Sequence, residues 1–451
     1  MRPHDTRRGA CLKTLRLATD GECRGAKPLC RGTGVPPVFA FITPFLARKG
    51  DGGMVERVAG HQTHKSKAGV LRQSPRRARG RLCKVCRRSS KEAPAIKIDY
   101  ADLVSFSTRL LSAAGVVDKH AEPIARLLVR ADLDGYPGHG IRRLVGYLGR
   151  VKRGVTQIVE PPRIVREGKT TAVIDGNLYI GQAVALEAMG LAIAKAGEHG
   201  VGIVCVRRSG HVGRLADYVE LAADRGMIGI AAVSVGGGSV APHGAMQPAW
   251  GTNPIAVGIP GKDGEHIIFD AATAAMSRSE LGQRLARGEE VPPGVLLDGG
   301  GNPTTDYGAF IGPPRGVVLP FGGYKGSALG MVAEVLGGIL SGNGLGPEWL
   351  DRGAAAVNGL WFQAIDVREF QELDAFEAKV EELRSFVHSR RPAPGFDEVR
   401  LPGDRARKLA AERRSGGVPV ADGDWEAMLR SAQELSVADV PAPLETRGAQ
   451  A

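Results

Sequence analysis

The feature that most constrains this chain is an alternation of helical and extended apolar patterns running from residue 172 to residue 235. Residues 172–174 read as extended. Residues 183–198 place Leu186, Met189, Ile193 and Ala196 on one helical stripe, residues 202–206 are a short apolar strand, 215–224 are helical, and 228–235 are strand again. Strands this apolar are covered on both faces, and helices spaced between them supply the cover. The chain is therefore expected to be an α/β protein. Two further strands are expected at 255–259 and 266–270, then a helix at 279–287 and a Gly/Pro-rich loop at 292–315. A helix at 327–340, a strand at 360–367 and a helix at 373–389 complete the pattern. Before the alternation lie two helices, 100–113 and 119–134, the second with Ile124, Leu127, Leu128 and Ala131 at helical spacing, and a third opening at Ile141.

Residues 1–95 are different. They hold 22 of the 60 Lys and Arg but only 6 of the 48 Asp and Glu, leaving 38 basic against 42 acidic side chains in the rest. The formal charge of +12 thus belongs to a basic extension, including Arg76-Arg77-Ala78-Arg79-Gly80-Arg81, and the body is mildly acidic. With no sustained period, the extension reads as disordered or as an upstream start assignment. Transit-peptide, nucleic-acid and zinc functions, the last through Cys23, Cys30, Cys83 and Cys86, are weaker alternatives. Only Cys205 lies in the body, so no disulfide framework holds it and a reducing cytoplasm is expected. No run of eighteen apolar residues is present, so no membrane span is expected.

Several chemistries are excluded by spacing. Gly236-x-Gly238-x-x-Ala241 follows a strand, but Pro242, Gly244, Pro248 and Gly251 prevent the helix that a dinucleotide fingerprint requires. Gly322-Gly323-Tyr324-Lys325-Gly326-Ser327 precedes an apolar helix and suits an anionic group, without P-loop spacing; Ser327 is expected as a helix cap. His199, His211, His243 and His266 lack metal-ligand spacing, and no G-x-S-x-G elbow occurs, so neither a metal site nor a serine nucleophile is expected. What remains is Gly138-His139-Gly140-Ile141-Arg142-Arg143. An imidazole followed four residues later by a guanidinium suits a 2-oxo acid, the first moving a proton and the second holding the carboxylate.

Eight separated segments occur in an order that resembles the type-2 malate/L-lactate dehydrogenase family of NAD(P)-dependent oxidoreductases, whose members lack a Rossmann domain. They are His139-Gly140-Ile141-Arg142-Arg143-Leu144, Ser209-Gly210-His211-Val212-Gly213, Ala241-Pro242-His243-Gly244, Gly251-Thr252-Asn253-Pro254, and Phe269-Asp270-Ala271-Ala272-Thr273. Leu297-Asp298 through Asn302-Pro303-Thr304-Thr305, Leu319 through Gly326, and Leu401-Pro402-Gly403-Asp404-Arg405 follow. The resemblance spans about residues 97–420. It implies a helical N-terminal lobe plus a mixed-sheet, non-Rossmann NAD(P)-binding domain. The corresponding division is an extension at 1–95, a lobe carrying the catalytic His at 96–170, the cofactor domain at 171–345, a part returning to the first lobe at 346–437, and a loose tail at 438–451.

By the same resemblance, His139 is the proton donor and acceptor, Arg143 the carboxylate clamp, and Asp270 the acid orienting the imidazole. His211, Thr252 and Asn253 line the substrate. Ile268, Phe269, Asp270, Ala271, Ala272, Thr273, Tyr324, Lys325, Gly403, Asp404 and Arg405 face NAD or NADP. The activity implied is hydride transfer between NAD(P)H and a small 2-oxo acid or cyclic imino acid in a homodimer, with nucleic acid not expected as a partner. Two other functions are kept: a nucleic-acid-associated protein using the basic arm, and a catalytically degenerate ligand-binding homologue. The second arises because this chain has Gly138 where the family usually has Ser and Gly210 where it tends to have Asn; a further departure, Ser277-Arg278-Ser279-Glu280 where many members read Arg-Gly-Lys, bears on substrate and cofactor preference. The first two changes delete a polar group beside the expected substrate, which alters discrimination.

Overall fold

The computed structural model describes residues 95–351 and 357–444. The basic extension, with its five cysteines, lies outside the described residues apart from Ala95, as does the tail from residue 445.

The first lobe is helical. Strand β1 (Ala95–Ile98) leads into α1 (Tyr100–Ala113), whose start is fixed by the Asp99 carboxylate accepting from the Ala101 and Asp102 amides at 2.8 and 3.2 Å. Leu103, Phe106 and Leu110 recur at helical spacing on its buried face. They pack on Ala121, Ile124, Ala125 and Leu128 of α2 (Asp118–Leu133). A short turn then carries the chain into α3 (Arg142–Lys152).

The second part is built on a seven-stranded sheet. Its members are β2 (Arg163–Glu167), β3 (Thr171–Asp175), α4 (Gly181–His199), β4 (Val201–Ser209), α5 (Ala216–Ala223), β5 (Met227–Val235), β6 (Ile255–Ile259) and β7 (Ile267–Ala271). Next come α6 (Arg278–Ala286), the two-residue strands β8 (Leu296–Leu297) and β9 (Pro303–Thr304), α7 (Tyr307–Ile311) and β10 (Val317–Val318). Helix α8 (Tyr324–Ala333) continues as a π-helical stretch, Glu334–Ile339, before α9 (Gly346–Asp351), β11 (Asn358–Asp366) and α10 (Leu373–His388). The last elements are α11 (Asp404–Gly416), β12 (Val418–Ala421) and α12 (Asp422–Glu434).

The sheet order is β2-β3-β4-β11-β5-β6-β7. Only β3 and β4 are parallel; every other neighbouring pair is antiparallel. This is a mixed sheet of the α/β class, and not the doubly wound parallel sheet of a Rossmann domain. After Gly236-x-Gly238-x-x-Ala241 no helix starts, and Val240 instead bridges Trp250 and Val318. The central strand β11 comes from the segment expected to return to the first lobe, while β12 does reach that lobe and pairs antiparallel with β1. The loop expected at 292–315 contains β8, β9 and α7, with β8 central in a small three-stranded sheet completed by β10. Strands β2 and β12 and helix α12 were not expected from the residue pattern. Among the described residues, no helix is long and apolar enough to cross a membrane.

A buried ion network joins the two parts. Arg214, at the entrance to α5, pairs with Asp134 at the end of α2 at 2.7 Å and with Asp217 of α5 at 2.5 Å, and all three are buried. Arg130 adds contacts of 3.6 Å to both acids and a pair with Glu220. Removing one partner of such a cluster leaves uncompensated charge in low dielectric. Arg214→Leu is expected to lower the unfolding free energy by about 3–5 kcal/mol in urea titrations, on that account.

Candidate active site

The turn between α2 and α3 presents His139. Its backbone amide bonds to the Tyr136 carbonyl at 2.9 Å. The next residue, Gly140, faces Asp132: a Cβ at 140 would stand 2.1 Å from Asp132 Oδ1. The same carboxylate accepts from the Ile141 amide at 2.6 Å, which satisfies a donor at the start of α3 and locks the turn. Burial pushes the Asp132 carboxyl up to about 8, against the lowering effect of the Ile141 bond. Asp132 is a positioning residue that the sequence pattern does not reveal, because an Asp in the last turn of an amphipathic helix ordinarily faces water.

His139 is half-buried, and its Nδ1 atom is fully buried with no hydrogen-bond partner. The ring lies parallel to that of His211, with centroids 5.8 Å apart and 5° between the planes. Burial, then the Arg143 and Arg214 charges, lower the His139 pKa to about 4, so the imidazole is neutral near pH 7. His211 is driven well below the ordinary imidazole range for similar reasons, burial first and Arg143 next. Its Nδ1 accepts from the Gly213 amide at 3.3 Å and lies 2.7 Å from the Tyr147 hydroxyl, which accepts from Gln182 Nε2 at 2.9 Å. With Nδ1 used as an acceptor, the ring hydrogen belongs on Nε2. Tyr147 and Gln182 thus set the tautomer of His211. Neither was singled out from the sequence, although Tyr147 lies four residues beyond Arg143 on α3, a spacing that shares a face. Arg143 Nε donates to the Gly138 carbonyl at 2.7 Å, which holds the guanidinium beside the turn.

The remaining expected residues divide. Asp270 does not hold His139: its Oδ2 accepts from the Leu215 and Ala216 amides at 2.9 Å each, capping α5, and no hydrogen bond joins it to the imidazole. An acid at the end of an edge strand meets the nearest unpaired helix amides, and here those belong to α5. Burial raises its pKa to about 6, partly offset by the Ala216 bond. Asn253 is fully buried, with Oδ1 accepting from the Val235 amide and Nδ2 donating to the Gly330 carbonyl and Glu334 Oε2, so it braces β5 against α8 instead of lining an open site. The Thr252 carbonyl accepts from the Thr273 amide at 2.9 Å.

Ile268 bonds through its amide to the Pro402 carbonyl at 3.2 Å, so β7 and the loop carrying Gly403, Asp404 and Arg405 are brought side by side. Asp404 is held by His388 at 2.8 Å and by Arg407 at 2.6 Å. Arg405 and Arg214 both lie over the Tyr136 ring, at 5.1 and 5.3 Å, tying this loop to the turn of His139. Beside it is a cavity of about 400 Å³ lined by His388, Arg390, Arg400, Arg405 and Lys408, together with acidic Asp397, Glu398 and Asp404. Tyr324 and Lys325 form a separate exposed group against His243, with no hydrogen bond or ring contact to His139. Ser327 lies inside α8 and accepts from the His243 amide at 3.0 Å, so it ties two loops and does not cap the helix.

Fold and site together describe an α/β protein outside the Rossmann class, with a neutral imidazole beside a buried arginine. The chain belongs to the malate/L-lactate dehydrogenase family, whose model matches residues 98–429. It is 35% identical to the malate/(S)-sulfolactate dehydrogenase of Methanothermus fervidus over 74% of this chain and 96% of that one. Among solved structures it is similar to malate dehydrogenase from Pyrococcus horikoshii OT3, with a TM-score of 0.70, 31% identity, and 77% and 97% of the two chains covered. Another is delta1-piperideine-2-carboxylate reductase from Pseudomonas syringae pvar. tomato, with a TM-score of 0.66, 31% identity, and 74% and 99% covered.

The depressed imidazoles carry a pH signature. Because the folded pKa of His139 lies below 6.5, the unfolded chain takes up its proton first as pH falls, and the stability held near neutrality is lost between 6.5 and about 4. Asp132 and Asp270, with raised pKa values, act in the opposite sense, so the comparison must be made against a variant. His139→Asn is expected to lose less unfolding free energy than the wild type between pH 7 and pH 5 in urea titrations.

Proposed function

We propose that this chain interconverts a small 2-hydroxy acid and its 2-oxo acid, or reduces a cyclic imino acid, with NAD or NADP as hydride partner. The observation that carries this is the buried, unpartnered Nδ1 of neutral His139 within one turn of the Arg143 guanidinium. Arg143 binds the substrate carboxylate. His139 accepts the proton of the hydroxyl during oxidation and returns it to oxygen or nitrogen during reduction. His211, with its hydrogen held on Nε2, donates to a substrate oxygen. Asp270 acts on the site through α5, by fixing the segment that carries Arg214.

The residues that would hold the dinucleotide are Ile268 through Thr273, Gly403 through Arg405, and Tyr324 with Lys325. Arg390, Arg405 and Lys408 in the neighbouring cavity offer cationic donors to phosphates, beside Asp397 and the Arg400–Glu398 and His388–Asp404 pairs that share its lining. When bound, the nicotinamide supplies or removes the hydride. Cys205, the free cysteine of the described residues, is buried, which supports a reducing, cytoplasmic setting.

We infer a homodimer from a second observation. Helix α8 and its π-helical continuation expose Leu329, Met331, Val332, Val335 and Ile339, each between 42 and 54% accessible, followed by Leu340 at 58%. An apolar helix of this kind is normally covered, and a second copy of the same surface covers it by two-fold symmetry. Size-exclusion chromatography with light scattering is expected to give the mass of two chains, and Met331→Glu with Ile339→Glu the mass of one.

Initial rates on a panel of 2-hydroxy acids, 2-oxo acids and cyclic imines with each cofactor test the chemistry. His139→Ala is expected to lower kcat by about 10²–10⁴-fold, the usual contribution of a positioned proton acceptor, with cofactor affinity by calorimetry retained. For oxidation, kcat/KM is expected to fall as pH drops toward about 4 and to be flat near neutrality, since the free imidazole is the acceptor. No turnover across the panel, with no cofactor binding, would overturn the proposal.

A further inference from the structure

Gly138, the residue before His139, has a backbone that any amino acid can adopt, since it is not among the positive-φ positions. Its lack of a side chain has another cause. A Cβ at 138 would stand 2.6 Å from Ser279 Oγ, 3.0 Å from Ser279 Cβ and 3.4 Å from Gln283 Nε2. The space a side chain at 138 would enter, on the residue before the imidazole, is already taken by a hydroxyl that arrives from helix α6.

Ser279 is not there to cap its helix. Ser277 performs that role, accepting from the Glu280 amide at 3.1 Å. One turn further along, Gln283 Nε2 donates to Ser279 Oγ at 3.3 Å, so the oxygen is used as an acceptor and its hydrogen is left to donate elsewhere. The residue it presses against is the one whose carbonyl holds Arg143 Nε at 2.7 Å. Ser279 is therefore packed on the residue that immediately precedes the imidazole and whose carbonyl accepts from Arg143. Arg143 cannot serve as a local partner for it, because a guanidinium has no acceptor.

We propose that Ser279 is a specificity-determining residue of this active site: its hydroxyl, oriented by Gln283, donates to an acceptor oxygen of the bound acid, and Gly138 is small in order to admit it. This rests on the functional reading given above and adds a subsite to it. It also makes one contact of two departures from the family pattern, the glycine before His139 and the serine within 277–280. A serine at 138 would force the Ser279 hydroxyl to turn away from its place against the turn and its Cβ to give slightly. The ligand class is a hydroxy or oxo acid with an oxygen acceptor besides its clamped carboxylate.

The test is a double-mutant cycle on the full chain, Gly138→Ser, Ser279→Gly and the pair, with Ser279→Ala and Ser279→Thr as milder variants. Steady-state kcat and KM are measured for two acids differing in one acceptor oxygen, alongside the thermal midpoint. Gly138→Ser alone is expected to lower kcat/KM by about tenfold or more, and Ser279→Gly added to it to restore most of the loss. Ser279→Ala is expected to change the ratio of kcat/KM between the two acids by about tenfold, mainly through KM, at an unchanged thermal midpoint, and Ser279→Thr to retain the wild-type ratio. An active wild type whose ratio and KM survive Ser279→Ala, or whose two glycine-serine changes are simply additive, overturns this inference alone. A wild type that turns over no acid or imine overturns the functional reading, and this inference with it.

Discussion

The position of the site depends on the Arg214 guanidinium. Arg214 stands between two buried carboxylates, Asp134 from the end of α2 and Asp217 from the first turn of α5, and under the Tyr136 ring. A single buried cation between two acids is stable only when the geometry is close and further donors share the negative charge, which Arg130 supplies. The consequence is positional. The turn that ends in His139 begins at Asp134, so the same ion cluster that closes the interface between α2 and α5 also anchors the turn. The first amides of α5 are in turn held by Asp270 on β7. A displacement of any one of these groups moves the imidazole.

The electrostatics of the site follow from that enclosure. Two imidazoles stacked at 5.8 Å, with Arg143 beside them, cannot both be charged, and burial with the neighbouring cation keeps both neutral. Neutral His139 is a proton acceptor by default. To deliver a proton it must first be compensated, and the negative charge of a carboxylate seated on Arg143 does that by offsetting the guanidinium that lowers its pKa. On the proposed function, Arg143 and His139 are thus coupled through charge as well as through the backbone carbonyl of Gly138 that Arg143 holds.

Much of the fold was legible because β3, β4, β5, β6, β7 and β11 each coincide with an apolar run in the sequence. What was not legible is order. Strand β11 lies between β4 and β5 although it follows them by more than a hundred residues, and nothing in an apolar nonapeptide specifies which strands it will separate. Strand β2 was missed since all five of its residues are exposed, so it has no alternation to detect. In the site, His139, Arg143 and His211 do converge. The aim of the Asp270 carboxylate was not legible, because a motif identifies a residue type at a position and the unpaired amides it meets are set by tertiary packing. Asp132, Tyr147 and Gln182 escaped for the same reason: each looks like an ordinary helical residue until the partner that buries it is known.

The paired glycines around His139 show where that limit bears on function. In sequence they read as one flexible element. In the structure they are two unrelated requirements, Gly140 set by the Asp132 carboxylate from α2 and Gly138 by Ser279 from α6. The first concerns the buried framework of the turn, since Asp132 also holds the Ile141 amide that starts α3. The second concerns the packing of the turn against α6, where the proposed subsite lies. A side chain at 140 would disturb the helix that carries Arg143, whereas one at 138 meets only the exchangeable end of a serine on a separate helix. On the proposed function, the turn can therefore keep His139 fixed while the group beside it is supplied from a different element, so that substrate preference can change without disturbing the imidazole.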